Sequence, residues 1–347
     1  MAVTIHDVAL LSGFSIKTVS KVMNGVTTVK PDTRERVQRA IAQLGYRPNA
    51  SARGLRSGKS GLIGLAVPTI KLAFFAELSA LIIAEAHSRG LGVVVEQTTR
   101  QDVPHLAVAS SSGRIADGVI FSPVLADSLD VQTYDAGTPL VSLDETSGPL
   151  YDTVSIDNTG ATRAATEHLL AMGCRRIALA GADAGPVHSP LARLRMRGYV
   201  EALDAAGIPF RPELLAGSEN HWEREGGADA FERLLDARVP FDGLVCLTDG
   251  LALGAIRAAA SRGVRVPDDV AIVGFDDIED SRYAVPALST VEPGKREMAR
   301  LSVELLIQRI ADPLHPPVTL FTRFKVIARE SSARNPGPPA LGIEGAR

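Results

Sequence analysis

The chain has 347 residues, 45% of them apolar, enough for two or three compact units with sizeable cores. Its formal net charge of −3 hides an asymmetry, since residues 1–60 carry ten Lys and Arg against three Asp and Glu, +7 in all, and the remainder carries −10. Apolar runs such as residues 62–68 fall far below the ~18 residues of a membrane span, and two cysteines are too few for a disulfide framework.

His6, Asp7 and Ser12 interrupt any secretory pattern at the start, so a cytoplasmic, reduced protein is expected, with Cys174 and Cys246 packed in its core. A basic head on an acidic body suggests that the head alone meets a polyanion. The head reads as three short helices. Thr4 and Asp7 form a capping-box pattern before residues 5–11. Gly13 breaks that helix, and Ser15 is a good N-cap for residues 16–23. Asn24 and Gly25 then supply a stop, and Pro31 suits the first turn of a third helix reaching about Leu44. Ile5, Val8, Ala9, Val19, Val22, Val37, Ile41 and Leu44 fall at core spacing. Two helices joined by a short Gly turn, the second one basic, make a helix-turn-helix pattern.

From Leu62 onward, strand-like runs alternate with helical stretches. Strands are expected at 62–68, 91–96, 118–121, 139–143, 153–156, 176–180, 243–247 and 270–274, and helices at 74–89, 105–114, 160–172, 195–206 and 251–262. Such alternation argues for parallel sheets covered by helices, and the number of strands favours two α/β subdomains over one sheet. The tail, residues 335–347, is rich in Pro and Gly and reads as disordered.

The ordered series TIHDVALLSGFSIKTVSKVMNG, VKPDTRERVQRAIAQLGYRPN, ASARGLRSGKSGLIGLAVP, VSIDNTGATRAATEHLLAMGCRRIALAGA, RLRMRGYVEAL and VPDDVAIVGFDD closely resembles lactose-repressor (LacI) family regulators over residues 3–333. The resemblance implies a DNA-binding head (1–47), a hinge helix with its linker (48–60) and a periplasmic-binding-protein-like body (61–334). The body would comprise an N-subdomain (61–158 and 291–321) and a C-subdomain (159–290 and 323–334), with an effector cleft between them. It also implies chain crossings near residues 157–160, 290–291 and 321–323, with a helix over 295–310.

On that basis Ile16, Lys17 and Lys21 would read base edges in the major groove. Lys21 departs from the commoner Arg and lacks its bidentate fork. Thr4, Ser15, Thr18, Ser20, Asn24, Thr28 and Arg34 would clamp phosphates, with Ser15 equally able to be only a cap. Leu55 matches the hinge leucine that wedges between base pairs in the minor groove. For the effector, Arg195 and Asp276 could grip vicinal hydroxyls. Phe74 and Trp222 could stack on a flat ligand face, and Thr69 and Asp144 lie on strand ends. Asp249 either contacts the ligand or caps its helix. Leu72 and Ala73 replace the family's Asn-Pro before the aromatics, which leaves a sugar or a nucleoside as the effector.

The expected partners are operator DNA, a small-molecule effector and a second copy of the chain; no membrane, cofactor or metal is expected. Against an enzyme, no G-x-G-x-x-G follows a strand and no G-x-S-x-G appears. Residues 54–60 (GLRSGKS) are one residue short of a phosphate loop, and the histidines lack metal-ligand spacing. A sugar-binding transport receptor would explain the body, but not the basic head.

Overall fold

The computed structural model describes residues 3–23, 25–46, 60–98, 115–122, 138–143, 151–182, 190–217 and 222–334. Asn24, Leu55, Asp144, nearly all of the expected hinge, the expected helix at 105–114 and the tail lie outside the described residues. The chain divides between Gly61 and Leu62 into two compact units.

The head unit comprises α1 (Ile5–Ser12), α2 (Ile16–Met23) and α3 (Pro31–Leu44). At the start of α1 the Asp7 carboxylate accepts from both the N–H and the hydroxyl of Thr4, at 2.8 and 2.7 Å. Those two donors hold the Asp7 carboxyl below its ordinary range. Gly13 ends the helix at φ 73°, a left-handed conformation that glycine adopts without steric cost. Ser15 accepts from the Thr18 N–H at 3.2 Å and so caps α2. Val8, Val19, Val22, Val37 and Ala40 close a small core, with Ile5, Ile41 and Leu44 packed on its margin.

In the body unit two parallel sheets divide the chain between two lobes. The first lobe's sheet contains β1 (Leu62–Val67), β2 (Gly92–Gln97), β3 (Val119–Phe121), β4 (Leu140–Ser142), β5 (Asp152–Ile156) and β11 (Thr319–Thr322), in the order β11-β5-β4-β3-β1-β2. Helices α4 (Ala73–Ser88) and α10 (Lys295–Ala311) pack against it. The second lobe's sheet runs β7-β6-β8-β9 through Leu215–Ala216, Ile177–Ala180, Gly243–Cys246 and Ala271–Val273. Its helices are α5 (Asn158–Ala171), α6 (Pro190–Ala205), α7 (Arg224–Asp236), α8 (Asp249–Ser261) and the short α9 (Asp280–Tyr283). The chain leaves the first lobe after β5, re-enters it before α10, and leaves again after β11. Beside those passages β10 (Thr290–Glu292) pairs antiparallel with β12 (Lys325–Ile327). Strand runs buried along their whole length, such as β3 to β6, are what a parallel sheet covered on both faces requires.

Two packing details hold the lobes in shape. Arg309 clasps Asp152 with two nearly buried bonds of 2.8 and 3.0 Å, tying the end of α10 to the start of β5. Helices α7 and α8 approach so closely that a Cβ on Gly254 would stand 1.8 Å from the Arg224 carbonyl, and one on Gly227 would stand 2.0 Å from that of Leu251. Ala is normally favoured over Gly inside a helix by about 1 kcal/mol. Here the sign should reverse: Gly254→Ala is expected to destabilise the protein by about 1–3 kcal/mol through overpacking. Urea denaturation monitored at Trp222 measures it, and a stabilised variant would contradict the close approach.

Candidate functional site

On α2 the valines at 19 and 22 turn into the core, which leaves Lys17 and Lys21, one helical turn apart, on the exposed side. Ile16, Thr18 and Ser20 are partly exposed beside them, and Thr28 is exposed in the following turn. Several candidate phosphate clamps also do local structural work. The Thr4 hydroxyl donates to Asp7, and the hydroxyls of Ser15 and Thr18 lie 3.0 Å apart in the cap of α2. Arg34 donates through Nη2 to the Val26 carbonyl at 2.8 Å, fixing the turn before α3.

In the body, a cleft opens where the carboxyl ends of strands from both lobes meet, the usual ligand position in open α/β sheets. One wall is apolar: Phe74, Phe75 and Leu78 from α4, Leu143 after β4 and Met298 from α10. The opposite wall carries Asn158, Arg195, Phe275 and Asp276. The sequence candidates Phe74, Arg195 and Asp276 therefore converge, though their codons are up to 202 residues apart in sequence order. Arg195 is held firmly. Its Nε donates to Asn158 Oδ1 at 3.0 Å, Nη1 donates to the Leu247 carbonyl, and its Cζ sits 3.6 Å from the centre of the Phe275 ring.

Other candidates stand elsewhere. Trp222 does not line the cleft; its Nε1 donates to the Gly181 carbonyl at 2.9 Å, and the Arg195 guanidinium lies 5.7 Å from its ring. Thr69 sits in the turn after β1, accepting from the Lys71 N–H at 3.1 Å. Asp249 is not the cap of its helix. Thr248 caps α8 by accepting from the Leu251 N–H at 3.2 Å, so Asp249 occupies the first helical position and is fully buried. Its carboxylate accepts from the Thr290 hydroxyl at 2.5 Å, the Ser281 hydroxyl at 2.7 Å and the Ile278 N–H at 3.0 Å.

Sequence reasoning also missed Ser122, which closes the cleft after β3. Its hydroxyl is buried and has no hydrogen-bond partner among the described residues. A buried hydroxyl without a partner costs free energy, which makes Ser122 a natural contact for a polar ligand atom. No local pattern marks it, because a single serine after a three-residue strand is unremarkable in sequence.

Asp276 is buried at the cleft wall with φ 121°, and Asp277 follows at φ 47°. Both conformations are rare for residues with a Cβ and cost of order 1–3 kcal/mol each, a kind of strain that collects at functional sites. Burial pushes the Asp276 carboxyl up to about 7, while Arg195 and Lys295 pull against that rise. A raised acid binds more protons folded than unfolded, so its contribution to stability falls as pH rises from about 4 to about 7. Asp276→Asn should remove that slope. The difference in unfolding free energy between variant and parent is expected to shift toward the variant on going from pH 5 to pH 8. A pH-independent difference would contradict the buried acid.

Residues 4–49 match the family described as bacterial regulatory proteins, lacI family, and residues 166–332 match the periplasmic binding protein-like domain. The chain is 33% identical over 312 residues to the HTH-type transcriptional repressor PurR of Haemophilus influenzae (strain PittEE), covering 88% of this chain and 91% of that one. It is similar to the lac repressor dimer solved with operator and the anti-inducer ONPF, with a TM-score of 0.82 at 29% identity over 96% of this chain and 99% of the other. It is also similar to the transcriptional regulator CelR–cellobiose complex, with a TM-score of 0.71 at 30% identity over 95% and 99%. A three-helix DNA-binding head, a two-lobed α/β body and relatives matched along most of their length identify the chain as a member of the LacI family of transcriptional regulators.

Proposed function

We propose that this protein is a sequence-specific repressor that binds a pseudo-palindromic operator as a homodimer and responds to a sugar or nucleoside effector in the cleft between its lobes. The observation that carries this reading is the meeting of Arg195 and Asp276, both nearly buried, across from an apolar wall that includes Phe74. Such a cleft, apolar with a few fixed polar groups, suits a small ligand with hydroxyls on one edge. That CelR is solved with cellobiose, and the lac repressor as a dimer on operator, supports the same assignment by similarity.

In this reading residues 1–47 form the head and 48–60 the hinge. Lys17 and Lys21 donate to guanine edges, Ile16 packs on a thymine methyl, and Leu55 wedges into the minor groove. Thr4, Ser15, Thr18, Ser20, Asn24, Thr28 and Arg34 set register on phosphates. Effector in the cleft acts through its differential affinity for the two lobe arrangements, which changes operator affinity by linkage.

Fluorescence anisotropy of a labelled duplex from the gene's own upstream region, beside a scrambled duplex and across a salt series, tests this reading. A preference of ~10³-fold or more with a steep salt slope is expected. Lys17→Ala should reduce that preference, since a base contact is worth about 1–3 kcal/mol of discrimination. Leu55→Ala should weaken operator binding more than scrambled binding. Asp276→Ala should keep DNA binding and lose the response to sugars and nucleosides screened against the wild type. No binding to either duplex even at low salt would contradict the reading.

A further inference from the structure

The two lobes are joined beside the crossing strand β10 by polar contacts gathered on one turn. Glu77, on α4 of the first lobe, accepts through Oε1 from the Glu279 N–H of the second lobe at 2.7 Å. Its other oxygen forms an ion pair with Lys295, the first residue of α10. Lys295 Nζ in turn donates to the Asp277 carbonyl at 2.8 Å, and Lys295 as a whole is 8% exposed. A lysine this buried needs its partners, because an unpaired ammonium out of water is strongly disfavoured. Here one partner comes from each lobe. Both contacts land on residues 277–279, directly after the strained Asp276 that faces the cleft. From its other side the turn is braced by Arg329, whose Nη2 meets Asp277 Oδ1 at 2.5 Å.

We propose that Glu77 and Lys295 form a clasp that holds the two lobes together and positions the Asp276 turn within the cleft. Rotation of one lobe away from the other would separate Lys295 from the Asp277 carbonyl and Glu77 from the Glu279 N–H together. The clasp therefore opposes opening cooperatively, and it does so from the turn that the effector would touch. The exposed Lys71–Glu223 pair, 2.6 Å long, spans the lobes beside it but is solvated and contributes little. The consequence for effector and operator rests on the reading given under Proposed function. The clasp itself does not.

Lobe separation is measurable by electron–electron double resonance between spin labels at the exposed positions S88C and S261C of the full-length protein. The native cysteines are buried and leave those positions to react first. With labelled chains diluted into unlabelled ones, so that an assembly carries a single labelled copy, the parent should give one distance population. Lys295→Met and Glu77→Ala should each raise the longer, open population by about tenfold, the shift produced by losing one charge-assisted bond. Lys295→Arg should restore the parent distribution, and Glu77→Gln, which keeps an acceptor for the Glu279 N–H, should fall between. Unfolding midpoints of all four variants identify any that have lost the fold. Distributions unchanged in Lys295→Met and Glu77→Ala would overturn the clasp, as would a Lys295→Arg variant as open as Lys295→Met. Operator anisotropy on the same variants separates the two readings. Lobes that open with no change in operator affinity would support the clasp and contradict the linkage to DNA.

Discussion

A carboxylate with no access to water organises the wall of the cleft. Asp249 gathers donors from three segments: the Thr290 hydroxyl at the strand leading back to the first lobe, the Ser281 hydroxyl on α9, and the Ile278 N–H in the turn before α9. Its own N–H donates to the Phe275 carbonyl at 2.6 Å. Burial and the nearby Asp276 push this acid up, and the three donors oppose that shift. Without such partners a buried carboxyl would be costly; with them it fixes the relative positions of α8, the turn at 275–281 and β10.

The position of the turn has functional consequences. Asp276 and Asp277 hold left-handed conformations that an isolated chain would rarely visit. The surrounding bonds over-determine them: Asp249 from below, Arg329 and Arg282 on the Asp277 carboxylate, and Lys295 on its carbonyl. Even Gly274 is constrained, since a Cβ there would meet Asp249 Oδ1 at 2.2 Å. The cleft is thus pre-organised on the side of Arg195 and Asp276, while Ser122 and Ser155 add hydroxyls from the first lobe. The apolar wall comes from the first lobe too, so the cleft sets the two chemistries face to face.

Local physics made much of the fold readable. Caps, the Gly13 and Gly45 stops and the valine spacing delimit the three head helices, because each signal acts within a few residues. Strands β3 to β6 were legible as short apolar runs between turns. The strand pair β10–β12 was not, since its pairing partners are more than thirty residues apart and its pattern is short. Helix α7 escaped as well: Gly226 and Gly227 lower its intrinsic propensity, and the close approach to α8 that requires a glycine there is a tertiary fact. At the cleft, Arg195 and Asp276 come from motif resemblance, while LTDG does not reveal which way the acid of Asp249 faces. Glu77 and Lys295 are 218 residues apart, and only the fold brings them together.

The dependence of the cleft wall on Asp249 is most directly tested by a double-mutant cycle of Asp249→Asn and Thr290→Val, read by urea denaturation. An asparagine presents an amide where an oxygen now accepts, so the single Asp249→Asn change is expected to cost roughly 3 kcal/mol. If the two residues act as one unit, the double variant should cost less than the sum of the singles by more than about 1 kcal/mol. Strict additivity, or an Asp249→Asn variant as stable as the parent, would contradict the organising role of that carboxylate.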